Sequence, residues 1–511
     1  MSETPRNGEG PRPGGGMPPG RPGRPGVPPT GGTPHQPWRA FDGGGTGMVR
    51  KVRQRWRRDR SSPQPSLDAL AAYDERSDRL RLVEAVGPTK QVSEENRRYI
   101  LRLLKITLLV CIVGMRFAIP LGSFPIPLPL VAMYVFVVLA RLRGGVRYNR
   151  VRTELFIASA ALIVLATYLS QFFGNSISLN SVLLLLVLWM PWVFCVSIQF
   201  RDLFVPLARF YTRIMLVAAV VGVFQLGSQY AGVWVYTDYL LKFVPENFLI
   251  QDYNVSYELA WNDPTTKANA FVFLEPSFLC QYLALALVIA LLIRAPAWQP
   301  ALLGIGMAST LSGTGIILLV VAVGLMVVVA PNRIRPAYVL AGAVGLAIVF
   351  ATPAANILLD RRSETSQEGS SGYIRFVQPY TEVSAGLSDN PTRLFVGAGP
   401  GSADRLLTSF RSGGDAVVYT IAPKLAFEYG LVAMVVFVAF LMVSVYRGPP
   451  IPVLPTAMLF MIFFLSGSLL QAHTVALAWL LTSLWGPPVT VGVSDALAAV
   501  MRRDRDQVPV A

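Results

Sequence analysis

Residues 424–446 of the chain read KLAFEYGLVAMVVFVAFLMVSVY, with charged side chains only at Lys424 and Glu428, near the start of the stretch. A helix that spans a bilayer needs about 20 mostly apolar residues, so this stretch predicts a transmembrane helix. The whole chain has the same character, because 53% of its 511 residues are hydrophobic, 15% are charged and the mean hydropathy is +0.47. These values exclude an ordinary soluble enzyme and predict an integral membrane protein.

Similar apolar stretches recur along the chain after residue 99. We predict an all-α, polytopic membrane protein with about 12 transmembrane helices, or as few as about 10 if the two short stretches around Gly313 form one broken element. The predicted helices cover residues 100–118, 124–140, 154–173, 180–198, 211–228, 272–293, 298–311, 314–330, 337–353, 424–446, 453–470 and 472–486.

Residues 1–99 are predicted to form a disordered, basic cytoplasmic tail. Pro and Gly account for 25 of residues 1–47, so this part cannot bury enough apolar surface to fold. No apolar region typical of a signal peptide occurs before residue 100. The segment Arg50–Arg60 has seven basic residues and one acid, which favours anionic lipid headgroups as its partner. Nucleic acid is the alternative, but no folded nucleic-acid module is visible, so we predict no nucleic-acid partner.

The distribution of basic residues predicts the orientation of the chain. Arginines collect in alternate short loops, while the short loops near 119–123 and 174–179 contain no basic residue. By the positive-inside rule, both termini are expected in the cytoplasm, with a membrane domain over residues 100–490 and a C-terminal tail over 491–511. Two long loops, about 229–271 and 354–423, are then expected outside. Loops of this length are usually functional.

Cysteine and histidine are too sparse for metal chemistry. Cys111, Cys195 and Cys280 are isolated in apolar runs, and His35 and His473 are the only histidines of the chain. No zinc-binding spacing is present, so we predict no metal site and no cofactor.

Ionisable residues collect at the predicted outer ends of the helices. Arg116 follows the first helix, Glu275 precedes the sixth, and Lys424 and Glu428 begin the tenth. A transporter is expected to carry such groups near the middle of the bilayer, so this placement favours a reaction site at the outer leaflet. The alternative is that each charged group reaches the interface without any functional role.

The long loop 354–423 contains six arginines and seven acidic residues, so most of its arginines are expected to be paired or solvated. Some of them could still bind an anion such as a lipid-linked phosphate. Within this loop, Gly397, Gly399 and Gly401 of VGAGPGS would let the backbone approach a ligand, and an ordinary turn is the alternative.

Four segments resemble the O-antigen polymerase and ligase superfamily of bacterial envelope glycosyltransferases, over about residues 155–486. They are FLEPSFLCQYLALAL at 273–287, STLSGTGIILL at 309–319, the spacing from Arg375 to Gly386 that leads into VGAGPGS, and KLAFEYGLVAMVVFVAF at 424–440. The chain departs from the superfamily at Gly313, where many members have Arg, and at Lys267, which stands in place of Arg. The position of the ligase histidine is occupied by about Tyr419, and His473 is the candidate substitute.

The resemblance implies transfer of a glycan from a polyprenyl-diphosphate-linked oligosaccharide. Cationic side chains would neutralise the diphosphate leaving group, so no metal ion is required. We predict Glu275 as the general base on the acceptor hydroxyl and Arg375 as the diphosphate ligand. Arg116 and Lys267 are weaker assistants, and Lys424 is either a clamp or a partner of Glu428. A single displacement would invert the anomeric configuration.

The resemblance favours a polymerase that joins lipid-linked repeat units into a surface polysaccharide, with polysaccharide assembly proteins as candidate partners. Within the superfamily, the alternative is a ligase that transfers finished glycan to an acceptor. From a different class, the alternative is a flippase or exporter of the lipid-linked unit.

Overall fold

The computed structural model describes residues 93–121, 124–251, 253, 255–258, 265–340, 342–343, 371–410, 419–446, 449, 453–467 and 469–485. Several predictions fall on other residues and so lie outside the described part of the chain. These are the tail up to residue 92 with Arg50–Arg60 and His35, most of the helix 337–353, and the C-terminal tail 491–511.

The described part of the chain is mostly helical. Its helices before the first long loop are α1 (Glu94–Val113), α2 (Leu128–Leu142), α3 (Arg150–Phe172), α4 (Leu179–Trp189) and α5 (Phe204–Tyr230). The next helices are α6 (Tyr239–Phe243), α7 (Pro276–Leu292), α8 (Trp298–Ser309) and α9 (Thr314–Val329). The second long loop contains α10 (Ser371–Phe376), α11 (Gln378–Asp389), α12 (Arg393–Val396) and α13 (Ala403–Leu406). The last helices are α14 (Ile421–Tyr446), α15 (Val453–Phe460) and α16 (Ala472–Leu481).

Two short antiparallel pairs interrupt the helices. They are β1 (Ala118–Leu121) with β2 (Phe124–Pro127), and β3 (Val146–Tyr148) with β4 (Phe194–Val196). Short 3₁₀ helices cover Met190–Val193, Ile198–Leu203, Glu246–Phe248, Pro331–Arg333, Leu407–Phe410 and Ser483–Trp485.

Three helical segments of the described chain are long and apolar enough to cross a membrane. They are Arg150–Phe172, Ile198–Tyr230 and Ile421–Tyr446. Shorter apolar helices lie at most of the other predicted positions, and the number of spans stays a prediction. The first helix begins at Glu94, within the segment predicted as disordered tail, because Ser93 caps it through a hydrogen bond from the Asn96 amide.

Several predicted helices are shorter than expected, and two of them show the physical reason. Residues 124–127 form β2, because Pro125 and Pro127 favour an extended backbone and cannot donate helical hydrogen bonds. The helix predicted over 180–198 ends at Trp189, and the chain then passes through a 3₁₀ turn into β4. Hydrophobicity alone does not mark these ends, since the residues on both sides of each end are apolar.

Helix α7 lies at the centre of the described structure. All of its residues are buried, and it packs against α5, α8 and α9. A helix that is apolar on every side requires such an environment, because it has no polar face to present to water. Its first residue is Pro276, so Glu275 immediately precedes a fixed element of the core.

Helix α14 is broken near its start. Gly430 has a φ of 81°, which separates a short first segment, Ile421–Tyr429, from the rest of the helix. A Cβ at this position would lie 2.4 Å from the carbonyl oxygen of Phe395, so only glycine fits without movement. The helix predicted over 424–446 is therefore present but kinked at Gly430. The kink leaves the Phe427 and Glu428 carbonyls to accept hydrogen bonds from the amides of Ala398 and Gly399.

Candidate active site

The backbone is strained immediately before α7 and α9. Ala270 and Phe271 have φ values of 50° and 65°, and Leu311 has a φ of 48°. Each such residue costs about 1–2 kcal/mol relative to the right-handed conformation. The two strained segments are neighbours, because the Ala268 amide donates to the Ser309 carbonyl at 3.4 Å. Strain of this kind tends to cluster at functional sites, so the start of α7 is a candidate functional site.

Buried polar side chains of α5 hold the strained segment in place. The Gln225 side-chain oxygen accepts hydrogen bonds from the amides of Asn269, at 3.1 Å, and Ala270, at 2.9 Å. Gln229 accepts from the Thr266 amide at 3.0 Å. Because all these groups are buried, loss of one partner would leave the others without compensation.

Asn269 extends this network to the first long loop. Its amide group donates to the Tyr236 hydroxyl at 3.3 Å and to the Val255 carbonyl at 3.0 Å. Burial raises the pKa of the Tyr236 phenol, although the hydrogen bond from Asn269 acts in the opposite direction. The phenol therefore stays neutral at physiological pH and ties the loop to the approach of α7.

Glu275 occupies the N-cap position of α7 with an extended backbone. Its side chain is half-buried and does not cap the helix, and its Oε2 accepts a hydrogen bond from the Ser277 hydroxyl at 2.8 Å. Pro276 at the first helical position fixes the direction in which the chain enters the core. The carboxylate is thus held at the end of a rigid helix, at a junction between core and loop.

Helices α7 and α9 approach each other closely at this end. A Cβ on Gly315 would lie 2.4 Å from the Cys280 carbonyl oxygen, so glycine is required for the contact. The Cys280 thiol lies 3.2 Å from the Ser312 carbonyl, and the Thr314 hydroxyl donates to the Ser277 carbonyl at 3.3 Å. The segments 273–287 and 309–319 therefore pack directly against each other and form one structural unit.

A π-helix follows α15 over Met461–Leu465. The Gln281 side chain donates to the Leu465 carbonyl at 3.3 Å, which satisfies one of the carbonyls that this geometry releases. Helix α10, which carries Arg375, packs against the same π-helix, and Phe376 joins the hydrophobic core. The backbone of Arg375 is therefore linked through one short element to the second turn of α7.

Arg116 lies in a different environment from the one predicted. Its guanidinium is buried and makes two hydrogen bonds to the Asp238 carboxylate, at 2.9 and 2.5 Å, and one to the Phe271 carbonyl at 3.4 Å. The contacts of Arg116 with Asp238 and Phe271 therefore hold the first long loop and the strained segment together. A direct contact with substrate stays a prediction.

Lys267 lies at the beginning of the same approach. Its Nζ is 4.1 Å from the centroid of the Tyr257 ring, and its amide donates to the Tyr257 carbonyl at 2.9 Å. This cation–π contact places the Lys267 side chain beside Tyr257, four residues before Phe271.

The glycine turn, residues 396–402, packs tightly on neighbouring elements. A Cβ on Gly397 would lie 2.3 Å from the Glu428 carbonyl oxygen, and one on Gly399 would lie 2.7 Å from the Ser170 hydroxyl. A Cβ on Gly401 would lie 3.0 Å from Ser178 Cβ. All three glycines have positive φ angles. The sequence predicted that these glycines would let the backbone approach a ligand. In the structure, the position of the missing Cβ faces protein atoms at each of the three glycines.

Lys424 and Glu428 are adjacent on the first segment of α14, as their spacing predicts. The Lys424 Nζ lies 2.9 Å from an Asp404 carboxylate oxygen and 3.8 Å from Glu428 Oε1. Glu428 is buried, and its Oε1 also accepts a hydrogen bond from the Ala403 amide at 3.4 Å. The pair therefore fastens α13 and the glycine turn to α14.

The two residues considered for a ligase-type histidine are both buried. The Tyr419 hydroxyl donates to Glu382, which also accepts from Gln378 at 2.8 Å, so Tyr419 belongs to the packing of the second long loop. His473 packs edge-on against the ring of Phe278, with a centroid distance of 4.7 Å. It therefore lies beside the first turn of α7.

Sequence reasoning missed the uncharged and acidic partners of the predicted residues, notably Asp238, Asn269 and Asp404. A usable signal existed for the network, because Gln225 and Gln229 lie one turn apart in the mainly apolar second half of α5, where polar residues are usually functional. Among the described residues, no group of His, Cys, Asp and Glu could hold a metal ion.

Comparison with known proteins identifies the family. Neither the curated proteins nor the solved structures contain a match to the chain. The family model described as "WcaD colanic acid polymerase" matches residues 102–485, which is about three quarters of the sequence. The match confirms the resemblance to O-antigen polymerases, and together with the long apolar helices it indicates a membrane protein. The chain belongs to the WcaD polymerase family, a family of Wzy-type O-antigen and exopolysaccharide polymerases.

Proposed function

We propose that this protein joins polyprenyl-diphosphate-linked oligosaccharide repeat units into a surface polysaccharide at the outer face of the bacterial plasma membrane. The observation that carries the proposal is the family match over residues 102–485, which includes α7, both long loops and α14. In this proposal the N- and C-terminal tails are cytoplasmic, and the segment Arg50–Arg60 binds anionic lipids of the inner leaflet.

Glu275 acts as the general base on the acceptor hydroxyl. Its support is geometric, since the carboxylate is half-buried at the start of an immobile helix and is oriented by the Ser277 hydroxyl. A base on a rigid element can be held within hydrogen-bonding reach of its target throughout the reaction. The strained residues Ala270 and Phe271 give the preceding chain the direction that places this carboxylate at the end of α7.

Arg375 binds the diphosphate leaving group. Its helix packs on the π-helix that also contacts Gln281, so its backbone lies within the same neighbourhood as the beginning of α7. Lys267 supplies a second cation on the approach to Glu275. Arg116 acts as a positioning residue, because Asp238 already occupies its guanidinium.

The reaction needs little beyond charge neutralisation and positioning. A diphosphate is a stable anion when it leaves, and cationic side chains in a site shielded from water stabilise the charge that develops on it. The acceptor oxygen attacks the anomeric carbon as the bond to the diphosphate breaks, and Glu275 removes the hydroxyl proton. One displacement inverts the anomeric configuration, and no metal ion takes part.

Transfer of glycan to a different acceptor, as in a ligase, is the second candidate function. One contact favours it, because His473 packs on Phe278 in the first turn of α7 and could assist an acceptor there. The family match favours the polymerase, and the substitution of the expected loop histidine by about Tyr419 points the same way.

The length distribution of glycan in cells that lack the protein tests the proposal. Cells complemented with the wild type are expected to contain a ladder of chain lengths, whereas the deletion and Arg375→Ala contain single repeats on lipid. Long chains that accumulate on lipid in the deletion would indicate a ligase. Repeat units that accumulate on the cytoplasmic leaflet would indicate a flippase and overturn the proposed chemistry.

A further inference from the structure

The first long loop presents apolar side chains outward. Val233 and Phe243 are 79% and 81% exposed. Val235, Leu241 and Phe248 are exposed as well. Clusters of exposed apolar residues on a folded surface indicate contact with a partner or a membrane.

The loop is rigid beneath this surface. Trp234, Tyr236, Tyr239 and Phe271 pack against one another with ring centroids 5.6–6.4 Å apart. Along residues 233–236, valines that point outward alternate with aromatic residues that point into the cluster. A segment that is apolar on both sides is expected to be covered on both sides.

The hairpin of β1 and β2 extends the same surface. Phe117 pairs with Leu249, and β1 packs against the 3₁₀ helix Glu246–Phe248. Within β1, Ile119 and Leu121 are exposed, Leu121 by 62%. We call residues 233–248 together with β1 the loop platform.

The loop platform continues a surface that already faces lipid in the proposed topology. Ile106, Leu109 and Val113 are exposed at helical spacing along α1, and β1 follows a few residues later. Lys242, between Leu241 and Phe243, donates to the Thr237 hydroxyl at 3.1 Å and lies 5.2 Å from the Tyr239 ring. Aromatic rings and a lysine beside apolar side chains are typical of the level of lipid headgroups.

We propose that the loop platform lies in the headgroup region of the outer leaflet and binds phospholipid through Val233, Val235, Phe243, Phe248, Ile119 and Leu121. The assignment to the outer leaflet rests on the topology of the proposed function, whereas membrane contact itself does not. Since Arg116, Asp238 and Asn269 connect the loop platform to the start of α7, lipid contact fixes the height of Glu275 at the level of a lipid-linked diphosphate.

An environment-sensitive fluorophore on Phe243→Cys in full-length protein in phospholipid vesicles tests this proposal. The three native cysteines are buried, so the introduced thiol is the preferred site of labelling. Ser384→Cys, an exposed polar position on α11, is the matched control. We expect emission from position 243 to shift to shorter wavelength, and a nitroxide at the lipid headgroup to quench it more strongly than emission from position 384.

Two outcomes would overturn the proposal. Equal emission and equal quenching at the two positions would place Phe243 in water. A shift without quenching by the nitroxide lipid would mean that protein, such as a second copy of the chain, covers the surface. Neither readout requires turnover, so failure of the polymerase proposal and failure of the loop platform are distinguishable.

Discussion

The segment before α7, residues 265–275, and the glycine turn are both loop segments fixed to long helices. They differ in how far their fixed geometry leaves a carboxylate exposed. Before α7, strained backbone and a buried hydrogen-bond network hold a half-buried carboxylate at the end of the central helix. In the glycine turn, close backbone packing and the contacts of Lys424 with Asp404 and Glu428 leave Glu428 buried. In the proposed function, the first region therefore carries the chemistry and the second positions it.

Substitution of Glu275 is expected to have the largest effect on activity. Glu275→Gln keeps the size of the side chain and removes the base, so the rate of polymerisation should fall by about 10²–10⁴-fold. Glu95→Gln, at an exposed position in the first turn of α1 and outside both regions, is the control and should leave the rate unchanged. A Glu275→Gln protein with wild-type turnover would remove the distinction between the two regions.

A substitution in the glycine turn is expected to lower the stability of the protein. Gly397→Ala places a Cβ against the Glu428 carbonyl and should lower the free energy of unfolding by about 2–5 kcal/mol. Gly232→Ala is the matched control, because Gly232 also has a positive φ but no atom within 4 Å of the added Cβ. The control should lose only about 1–2 kcal/mol. Equal melting temperatures for the two variants would contradict the packing described here.

Removal of Lys424 should weaken the same region by a smaller amount. Lys424→Met leaves the buried Glu428 without its cation and should cost about 1–3 kcal/mol in thermal unfolding. The double variant Lys424→Met with Glu428→Gln should recover part of this loss, since the charge that then lacks its partner, on Asp404, is exposed to solvent and no buried charge is unpaired. No recovery would mean that the two side chains do not interact energetically.

The smallest effect is expected for the hydroxyl that orients the base. Ser277→Ala removes the hydrogen bond to Glu275. The rate should fall by about 3–10-fold, which corresponds to the loss of about one hydrogen bond, and the melting temperature should not change. Ser402→Ala in the glycine turn removes a buried hydroxyl that has no partner among the described residues, so it should leave the rate unchanged and should not lower the melting temperature. An effect of Ser402→Ala on rate alone would bring the glycine turn into the active site.

The positions of most helices could be predicted from the sequence, because apolar runs near bilayer length are a strong signal. Their ends could not, since β2 and the break at Gly430 depend on proline and glycine geometry within runs that stay apolar. Glu275 and the Lys424–Glu428 pair were visible as charges at the ends of such runs.

The partners of the predicted residues could not be found in the same way. Arg116 pairs with Asp238 across 122 positions of the chain, and no local pattern encodes such a contact. In the glycine turn, the positive φ angles could be anticipated from the glycines. The protein atoms that lie beside each Cα could not, because they come from distant parts of the chain.

Polymerisation by the isolated protein tests the central claim most directly. Purified full-length protein in vesicles would be supplied with the lipid-diphosphate-linked repeat unit and a metal chelator, and the chain length of the glycan would be measured. We expect a ladder of chain lengths with the wild type and single repeats with Glu275→Gln of the same thermal stability. Single repeats with the wild type, under conditions in which substrate is bound, would contradict the claim that this chain forms the glycosidic bond.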